Sequence, residues 1–148
     1  MSKKEFLPLE ITHMVRDHCL CMHLQRAARA MARRFDDALR PLGLTSGQFS
    51  LLMSLNRPDA PTISSVANLL AMDRTTLTAN IKPLERRGLL TVTIPEHDKR
   101  SRCLSLTDEG RQLLADAFPT WQETHQEVDA LIGTSEADRL RDNLVKLS

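Results

Sequence analysis

The sequence has 148 residues, which is enough for one domain and too short for two independent cores. Its 20 basic and 19 acidic residues give a net charge of +1, but the signs are separated along the chain. Residues 1–106 carry 16 basic and 10 acidic groups, and residues 107–148 carry 4 and 9. No apolar run approaches the ~18 residues of a membrane span. The three cysteines are too few for a disulfide framework, which favours a reducing cytoplasm.

The first predicted element is a helix from about residue 16 to residue 40. Its apolar residues recur in steps of three and four, which is typical of an amphipathic helix. They are Cys21, Leu24, Ala28, Met31, Phe35 and Ala38. Pro41 is expected to end this helix, because the residue before a proline avoids the helical region.

Three shorter helices are predicted next. Thr45 and Gln48 have the spacing of a capping box, so they mark the start of the second helix. Thr62 or Ser64 can cap a third, whose apolar positions are Val66, Ala67, Leu69 and Leu70. Asp73 can cap a fourth, which ends at Gly88 and has a proline, Pro83, in its interior.

The hydrophobic period then changes to that of strands. Residues 89–94 and 102–106 are short, apolar and β-branched, and a charged loop separates them, so they predict a hairpin. We expect Val92 and Ile94 to share its buried face with Leu104 and Leu106. Thr107 is expected to cap a second long helix, kinked at Pro119, and Ser135 with Asp138 to open a last one.

This order of elements predicts a mainly α-helical chain with a small β-hairpin wing. The fold class is a winged helix-turn-helix with N- and C-terminal dimerisation helices. We expect residues 1–44 and 107–148 to form the dimerisation regions and residues 45–106 the DNA-binding lobe, all within one compact chain. The long terminal helices each carry an apolar seam that a second copy would bury, which predicts a homodimer.

Residues 73–102 carry seven basic and four acidic groups, which suits a DNA-binding surface. The fourth helix is the predicted recognition helix, whose first residues would meet base edges in the major groove. The predicted DNA contacts in the helix-turn-helix are Ser64, Arg74, Thr75, Thr76, Thr78 and Lys82. A homodimer would present two such helices to a pseudo-palindromic double-stranded operator, about 34 Å apart.

Residues 98–110, D-K-R-S-R-C-L-S-L-T-D-E-G, resemble the wing signature of the MarR family, D-x-R-x-x-x-x-x-L-T-x-x-G. The M-D-R-T-T-L-T segment in residues 69–88 resembles that family's recognition helix, and the flanking helices match as well. The resemblance implies a homodimeric regulator, commonly a repressor released by a small molecule or by thiol oxidation. It also implies that Arg100 enters the minor groove, that Asp98 holds Arg100 through an ion pair, and that Lys99 and Arg102 contact the DNA backbone.

Three possibilities for the sensed signal follow. The segment around Cys21 resembles that of the organic-hydroperoxide sensors of the MarR family, although the tyrosines that hold their thiol are absent here. Cys21 is therefore a candidate sensing residue, and the other interpretation of this cysteine is a small buried hydrophobe. The resemblance also implies a site for an apolar or aromatic acid between the dimerisation helices and the DNA-binding lobe. Cys19 and His23 are one helical turn apart, but four zinc ligands do not assemble, so no metal or other cofactor is expected.

Two further functional classes were considered. No G-x-S-x-G or H-E-x-x-H context is present, so we expect no enzymatic activity. A winged-helix adaptor that does not bind DNA is the alternative to a regulator.

Overall fold

The computed structural model describes residues 6–148, which form helices and one two-stranded sheet. The helices are α1 (Leu9–His18), α2 (Leu20–Leu39), α3 (Ser46–Ser54), α4 (Ile63–Leu69), α5 (Arg74–Arg86), α6 (Asp108–Ile132) and α7 (Thr134–Leu147). The strands are β1 (Leu90–Thr93) and β2 (Cys103–Leu106), and a short 3-10 turn (Arg40–Leu42) follows α2. The predicted fold class is thereby confirmed: the chain is mainly helical, with a hairpin after a helix-turn-helix.

The hydrophobic core lies in the middle of the sequence. Its continuous cluster of buried side chains runs from Leu39 to Ala117 and draws on α3, α4, α5, both strands and the first half of α6. Leu52, Leu77, Leu84 and Leu104 are completely buried there. The winged lobe, as we name residues 45–106, therefore assembles its core within one chain.

Side-chain caps begin four of the helices where the sequence predicted them. Thr45 Oγ1 accepts from the Gln48 N–H at 3.1 Å, while the Gln48 side chain accepts from the Thr45 N–H. Thr62, rather than Ser64, caps α4, and Asp73 caps α5. Thr107 caps α6. Each cap satisfies amide groups that have no partner inside the helix, and this fixes where the helix starts.

The hairpin is antiparallel and is anchored to the start of α4. Leu90 pairs with Leu106 and Val92 with Leu104. The Leu104 N–H donates to the Pro61 carbonyl, and the Ile63 N–H donates to the Arg102 carbonyl, both at 2.9 Å. These bonds fix the wing relative to the helix-turn-helix.

The hairpin is also fastened to α6, through two residues of the L-T-x-x-G segment. Thr107 Oγ1 donates to the Gly88 carbonyl at 2.5 Å and accepts from the Gly110 N–H at 3.0 Å. Gly110 lies against the backbone of Leu89, where a Cβ would collide with the Leu89 carbonyl. Glycine is required because the helix approaches the strand backbone closely.

Two predicted helix boundaries are wrong. The first predicted helix does not run unbroken from residue 16, since α1 ends at His18 and α2 starts at Leu20. Cys19 between them is extended, with φ −70° and ψ 108°. The last helix starts at Thr134 after Gly133, without a side-chain cap, so Ser135 and Asp138 do not open it.

One predicted burial, that of Ile94, is wrong, and two other apolar positions of the predicted helices are exposed. Cys21, at an apolar position of the first predicted helix, is exposed. Leu69 is 67% exposed at the end of α4, and Ile94 is 55% exposed beyond the last paired residue of β1. Both prolines are accommodated: α5 continues through Pro83 and α6 through Pro119. Among residues 6–148, no helix is long and apolar enough to cross a membrane.

Candidate nucleic-acid interface

The turn between α4 and α5 positions the recognition helix. Ala71 adopts a left-handed conformation with φ +51°, the only non-glycine residue of the described chain to do so. The Met72 N–H then donates to the Ala67 carbonyl at 2.9 Å, which closes the turn. Such a conformation favours glycine, so the alanine here carries a small strain. Leu77, Ile81 and Leu84 fix the inner face of α5 in the core.

An open, shallow groove runs along the outer face of α5. It is lined by Arg74, Thr75, Thr78, Ala79 and Lys82. All five residues are exposed, and the two basic ends of this row lie two helical turns apart. The structure thus brings together four of the six predicted helix-turn-helix contacts. Ala79 was missed by the sequence analysis, although its position four residues after Thr75 places it on this face.

The other two predicted contacts lie elsewhere. The Thr76 hydroxyl donates to Asp73 Oδ2 at 2.7 Å, and the Thr76 N–H donates to Oδ1 at 2.8 Å, so this side chain is part of the helix cap. These bonds hold the pKa of the Asp73 carboxyl below its usual range. Ser64 is exposed in the first turn of α4, outside the groove.

The wing loop is organised by one carboxylate. Asp98 Oδ2 accepts from the Ser101 hydroxyl at 2.8 Å, and Oδ1 accepts from the backbone N–H of Arg100 at 3.0 Å. These two bonds lower the pKa of Asp98. In the described part of the chain, no ion pair joins Asp98 to the Arg100 guanidinium, so the predicted ion pair is wrong. The carboxylate shapes the loop through its backbone and leaves the Arg100 side chain exposed.

Two arginines in this region donate hydrogen bonds to backbone carbonyls of their own chain. Arg102 Nη1 donates to the carbonyls of Lys99 and Ser101, at 3.1 and 3.0 Å, and so braces the wing loop. Arg87 Nη1 donates to the Gly43 carbonyl at 2.8 Å and ties the end of α5 to the turn after α2. Lys99 is exposed near the wing tip. The basic residues of the lobe therefore include two, Arg87 and Arg102, whose side chains brace the backbone.

Comparisons with known proteins match this architecture. The model of the MarR family matches residues 44–101. The organic hydroperoxide resistance transcriptional regulator of Bacillus subtilis is 33% identical over 101 residues, which cover 68% of this chain and 69% of that protein. This chain belongs to the MarR family. It is a DNA-binding transcriptional regulator and not an enzyme, and membership implies the predicted homodimer. The alternative of an adaptor that does not bind DNA is therefore wrong.

Two solved structures extend the match beyond the lobe. The MosR regulator of M. tuberculosis in complex with DNA is 37% identical, with a TM-score of 0.80 over 88% of this chain and 93% of that one. The repressor CouR bound to a 23-mer DNA duplex is 29% identical, with a TM-score of 0.80 over 97% and 99% of the two chains. The terminal helices are thus part of the shared fold.

A second feature of this MarR-family chain lies where α2, α3 and α6 meet. Four of its five aromatic residues converge there: Phe35, Phe49, Phe118 and Trp121. Trp121 stacks on Phe49 with ring centres 6.0 Å apart and packs against His125 at 4.8 Å. A cavity of about 220 Å³ lies beside the cluster and is lined by Phe35, Phe49, Trp121 and His125. The sequence alone did not indicate this cluster, because its members are up to 86 positions apart.

The cysteines are free thiols in distinct settings. Cys21 is exposed, while Cys19 and Cys103 are half-buried. The ring nitrogen Nδ1 of His23 lies 2.7 Å from the Cys19 carbonyl oxygen, so that histidine is engaged with the backbone. His18 Nδ1 lies 2.8 Å from the Met14 oxygen in the same way. No group of three or more potential metal ligands occurs within residues 6–148.

Proposed function

We propose that two copies of this chain bind a pseudo-palindromic double-stranded operator as a repressor, through the outer face of α5 and the wing tip. The single observation that carries this is the exposed row from Arg74 to Lys82 on a helix whose inner face is fixed in the core. Arg74 and Thr75 would read base edges. Lys82 would contact phosphate, where a point charge suffices.

We assign the wing to the minor groove next to the site where α5 would read base edges. Arg100 projects from a loop that Asp98 and Arg102 hold in shape, so its side chain needs little ordering when it binds. An arginine in the minor groove senses groove width and potential more than base identity. Lys99 supplies a further phosphate contact, whereas Arg102 acts by bracing the loop. Ser64 and Thr76 remain secondary contacts of this proposal, and the setting is the cytoplasm.

Affinity for duplex DNA tests this assignment. The probe is the DNA upstream of the protein's own gene, with a random duplex of equal length, titrated by fluorescence anisotropy at several salt concentrations. Arg74→Ala is expected to weaken operator binding by about 10–100-fold and to relax specificity. Arg100→Ala is expected to reduce the salt slope by about one.

Arg139→Ala is the matched control, since it removes the same charge from the exposed surface of α7. Its affinity for the operator should equal that of the wild type. Loss of binding in the control as large as in Arg74→Ala would show that net charge alone drives association. Failure of the wild type to bind either duplex at low salt would overturn the proposed interface.

The proposed effector is a planar aromatic acid that binds in the cavity lined by Phe35, Phe49 and Trp121. The cavity lies between α3 of the winged lobe and the helices α2 and α6, so a ligand there can bias their relative position. Aromatic rings favour a flat apolar ligand, and Ser46, Ser50 and His125 offer polar groups to a carboxylate. CouR has been solved with p-coumaroyl-CoA bound, which is consistent with an aromatic ligand for this fold.

Trp121, the only tryptophan of the chain, makes this effector site directly measurable. Hydroxycinnamates and benzoates that enter the cavity should quench its fluorescence and release the operator at the same concentrations. Ser50→Leu, which fills the cavity, should abolish both responses while DNA affinity without ligand is retained. DNA release that persists in Ser50→Leu would place the effector elsewhere.

Thiol oxidation is the second candidate signal, and the exposure of Cys21 favours it over a buried structural role. A hydroperoxide would transfer one oxygen to the Cys21 thiolate, which gives a sulfenic acid and the corresponding alcohol. Operator binding titrated with an organic hydroperoxide should then fall in the wild type and not in Cys21→Ser, and reductant should restore it. An equal response in both proteins would remove Cys21 from the sensing role.

A further inference from the structure

The cavity beside Phe49 and Trp121, which we call the aromatic cavity, has one ionisable residue. Among the described residues that line it, His125 alone has a side chain that can be charged, and the others are apolar residues and two serines. The volume of about 220 Å³ accommodates one aromatic ring with a short acid chain, since a cavity of roughly 150 Å³ already holds benzene. A carboxylate that enters such a site loses hydration and needs a charged partner there. His125 is the lining residue that can provide this charge.

The ring of His125 is held in place on two sides. It packs against Trp121 with ring centres 4.8 Å apart and against Phe35 at 6.1 Å. Its Nδ1 lies 3.6 Å from Asp129 Oδ1, which is within ion-pair distance but longer than a hydrogen bond. Arg141 Nη1 in turn donates to Asp129 Oδ1 at 3.1 Å. Asp129 and Arg141 line an open groove between α2, α6 and α7 and do not line the aromatic cavity, so Nδ1 is turned towards that groove.

The second ring nitrogen, Nε2, is left for a ligand. The contact with Asp129 is the only polar contact of the His125 ring among residues 6–148. A neutral ring with its proton on Nδ1 can only accept a hydrogen bond at Nε2. The other neutral tautomer would turn a lone pair towards the Asp129 carboxylate. A carboxylate is itself an acceptor, so the form of the ring that suits both carboxylates is the protonated one, which donates from both nitrogens.

In the described chain, few other charged groups lie near this histidine. Helix α6 contributes Asp129, and α7 contributes Arg141, which also pairs with Asp138. Helix α2 contributes Asp36 next to the cavity, where its Oδ1 accepts from the Ser46 N–H at 2.7 Å. The residues of α3 that line the cavity are uncharged. None of these groups adds a cation to the cavity, so the positive charge available to an anionic ligand there is that of the histidine ring.

We propose that His125 selects an anionic effector and that the effector's carboxylate binds together with a proton. The inference rests on the proposed effector site and deepens it by naming the partner of the acid group. The imidazolium would donate from Nε2 to the effector, while Asp129 faces the same ring at Nδ1. The bound acid would thereby connect α6 to the Ser46 and Ser50 side of α3. Because binding takes up a proton, affinity for the effector rises as the pH falls from 8 to 6.

A matched pair of ligands tests this role. Benzoate stays ionised above pH 6, whereas benzamide has the same ring and no charge. Both are titrated against the full chain at pH 6, 7 and 8, and Trp121 fluorescence gives the dissociation constants. That of benzoate should rise by about tenfold or more between pH 6 and pH 8, because histidine loses its charge in this range. That of benzamide should stay constant.

His125→Gln should weaken benzoate binding by about tenfold at pH 6 and remove its pH dependence, because glutamine offers a neutral donor in place of a charged one. Benzamide should bind this variant as it binds the wild type. His97→Gln is the matched control, since it makes the same substitution in the exposed wing loop. It should keep the wild-type response to both ligands. Titration calorimetry in buffers of different ionisation enthalpy should show proton uptake with benzoate in the wild type and none in His125→Gln.

The outcomes separate the role of His125 from the effector site itself. Benzoate affinity that is independent of pH in the wild type, or that changes equally with pH in His125→Gln, would overturn the role of His125 and leave the cavity as the binding site. Loss of benzamide as well as benzoate in His125→Gln would show that the ring only shapes the cavity, which also overturns the charge role. Failure of both ligands to bind the wild type at pH 6 would overturn the effector site and this role together.

Discussion

The winged lobe and the terminal helices differ in where their apolar surface is buried. In the lobe, which comprises residues 45–106, the inner faces of α3, α4, α5 and the hairpin form part of one continuous core. In the terminal helices, by which we mean α1, α2, α6 and α7, most large apolar side chains near the chain ends are exposed. Among them are Leu9, Met14, Val15, Leu20, Leu131, Ile132, Leu140 and Val145.

This difference indicates two sources of stability in one small chain. The lobe is stabilised by burial within the chain, so the position of α5 and the wing does not need a second copy. We propose that the terminal helices gain their burial by association with a second copy, so that their stability would depend on chain concentration. A regulator can use this division, because a signal that alters how the terminal helices pack moves two rigid lobes relative to each other.

Truncating one leucine in each region, a buried one in the lobe and an exposed one in the terminal helices, gives the largest expected contrast. Leu52→Ala, at a side chain with no exposed surface, should lower the free energy of unfolding by about 3 kcal/mol and leave the dimer dissociation constant unchanged. Leu131→Ala should leave the free energy of unfolding unchanged and raise the dimer dissociation constant by roughly tenfold or more, because a symmetric dimer loses this side chain twice. Urea unfolding and sedimentation equilibrium measure the two quantities. If both variants change the same quantity, the division between the regions is wrong.

The contact between α6 and the hairpin, where the two regions join, gives the second prediction. Gly110→Ala should destabilise the chain by about 2–3 kcal/mol, because the added Cβ meets the Leu89 carbonyl. Gly47→Ala is the control, since nothing lies within 4 Å of a Cβ there and helix propensity should raise stability by about 0.5–1 kcal/mol. Thermal unfolding followed by circular dichroism compares them. A neutral Gly110→Ala would mean that α6 can move away from the hairpin.

The lobe was well predicted from the sequence because its signals are local. The caps at Thr45, Thr62, Asp73 and Thr107 each act within three residues, and the hairpin register follows from alternation over a few positions. The terminal helices were predicted less well. The break at Cys19 has no proline or glycine to mark it, and the exposure of Cys21 depends on which helix packs against α2. The aromatic cavity could not be predicted either, because its lining residues come from three separate helices whose packing the sequence does not show.

For the residues of the proposed DNA interface, residue type and helix face could be predicted, but the use of each side chain could not. Arg74, Thr75, Thr78 and Lys82 share the exposed face that their spacing indicated. The spacing could not show that Thr76 completes a cap or that Arg102 braces the wing, because a backbone carbonyl competes with DNA for the same donor.

The turn of the helix-turn-helix yields the third prediction. Ala71→Gly should raise the stability of the lobe by about 0.5 kcal/mol, because relief of the left-handed strain outweighs the extra freedom of glycine in the unfolded chain. Ala79→Gly, inside α5, is the control and should lower stability by about 1 kcal/mol. Urea unfolding compares the variants. Equal losses in the two would show that the turn carries no strain.

The smallest expected effect concerns pH and is confined to the lobe. Hydrogen bonds from Thr76 to Asp73, and from Ser101 and Arg100 to Asp98, hold the pKa of both carboxyls below the usual value. A carboxyl with a depressed pKa in the folded state stabilises the fold above its unfolded pKa of about 4, and this contribution is lost as the pH falls through the folded value. The stability difference between the wild type and Asp98→Asn should therefore be present at pH 6 and shrink as the pH falls below about 4 towards the lowered pKa of the folded state. Asp59→Asn, in the exposed loop after α3, should show no such convergence. A difference between wild type and Asp98→Asn that stays constant down to pH 3 would show that the loop is shaped by residues other than the ionised carboxylate.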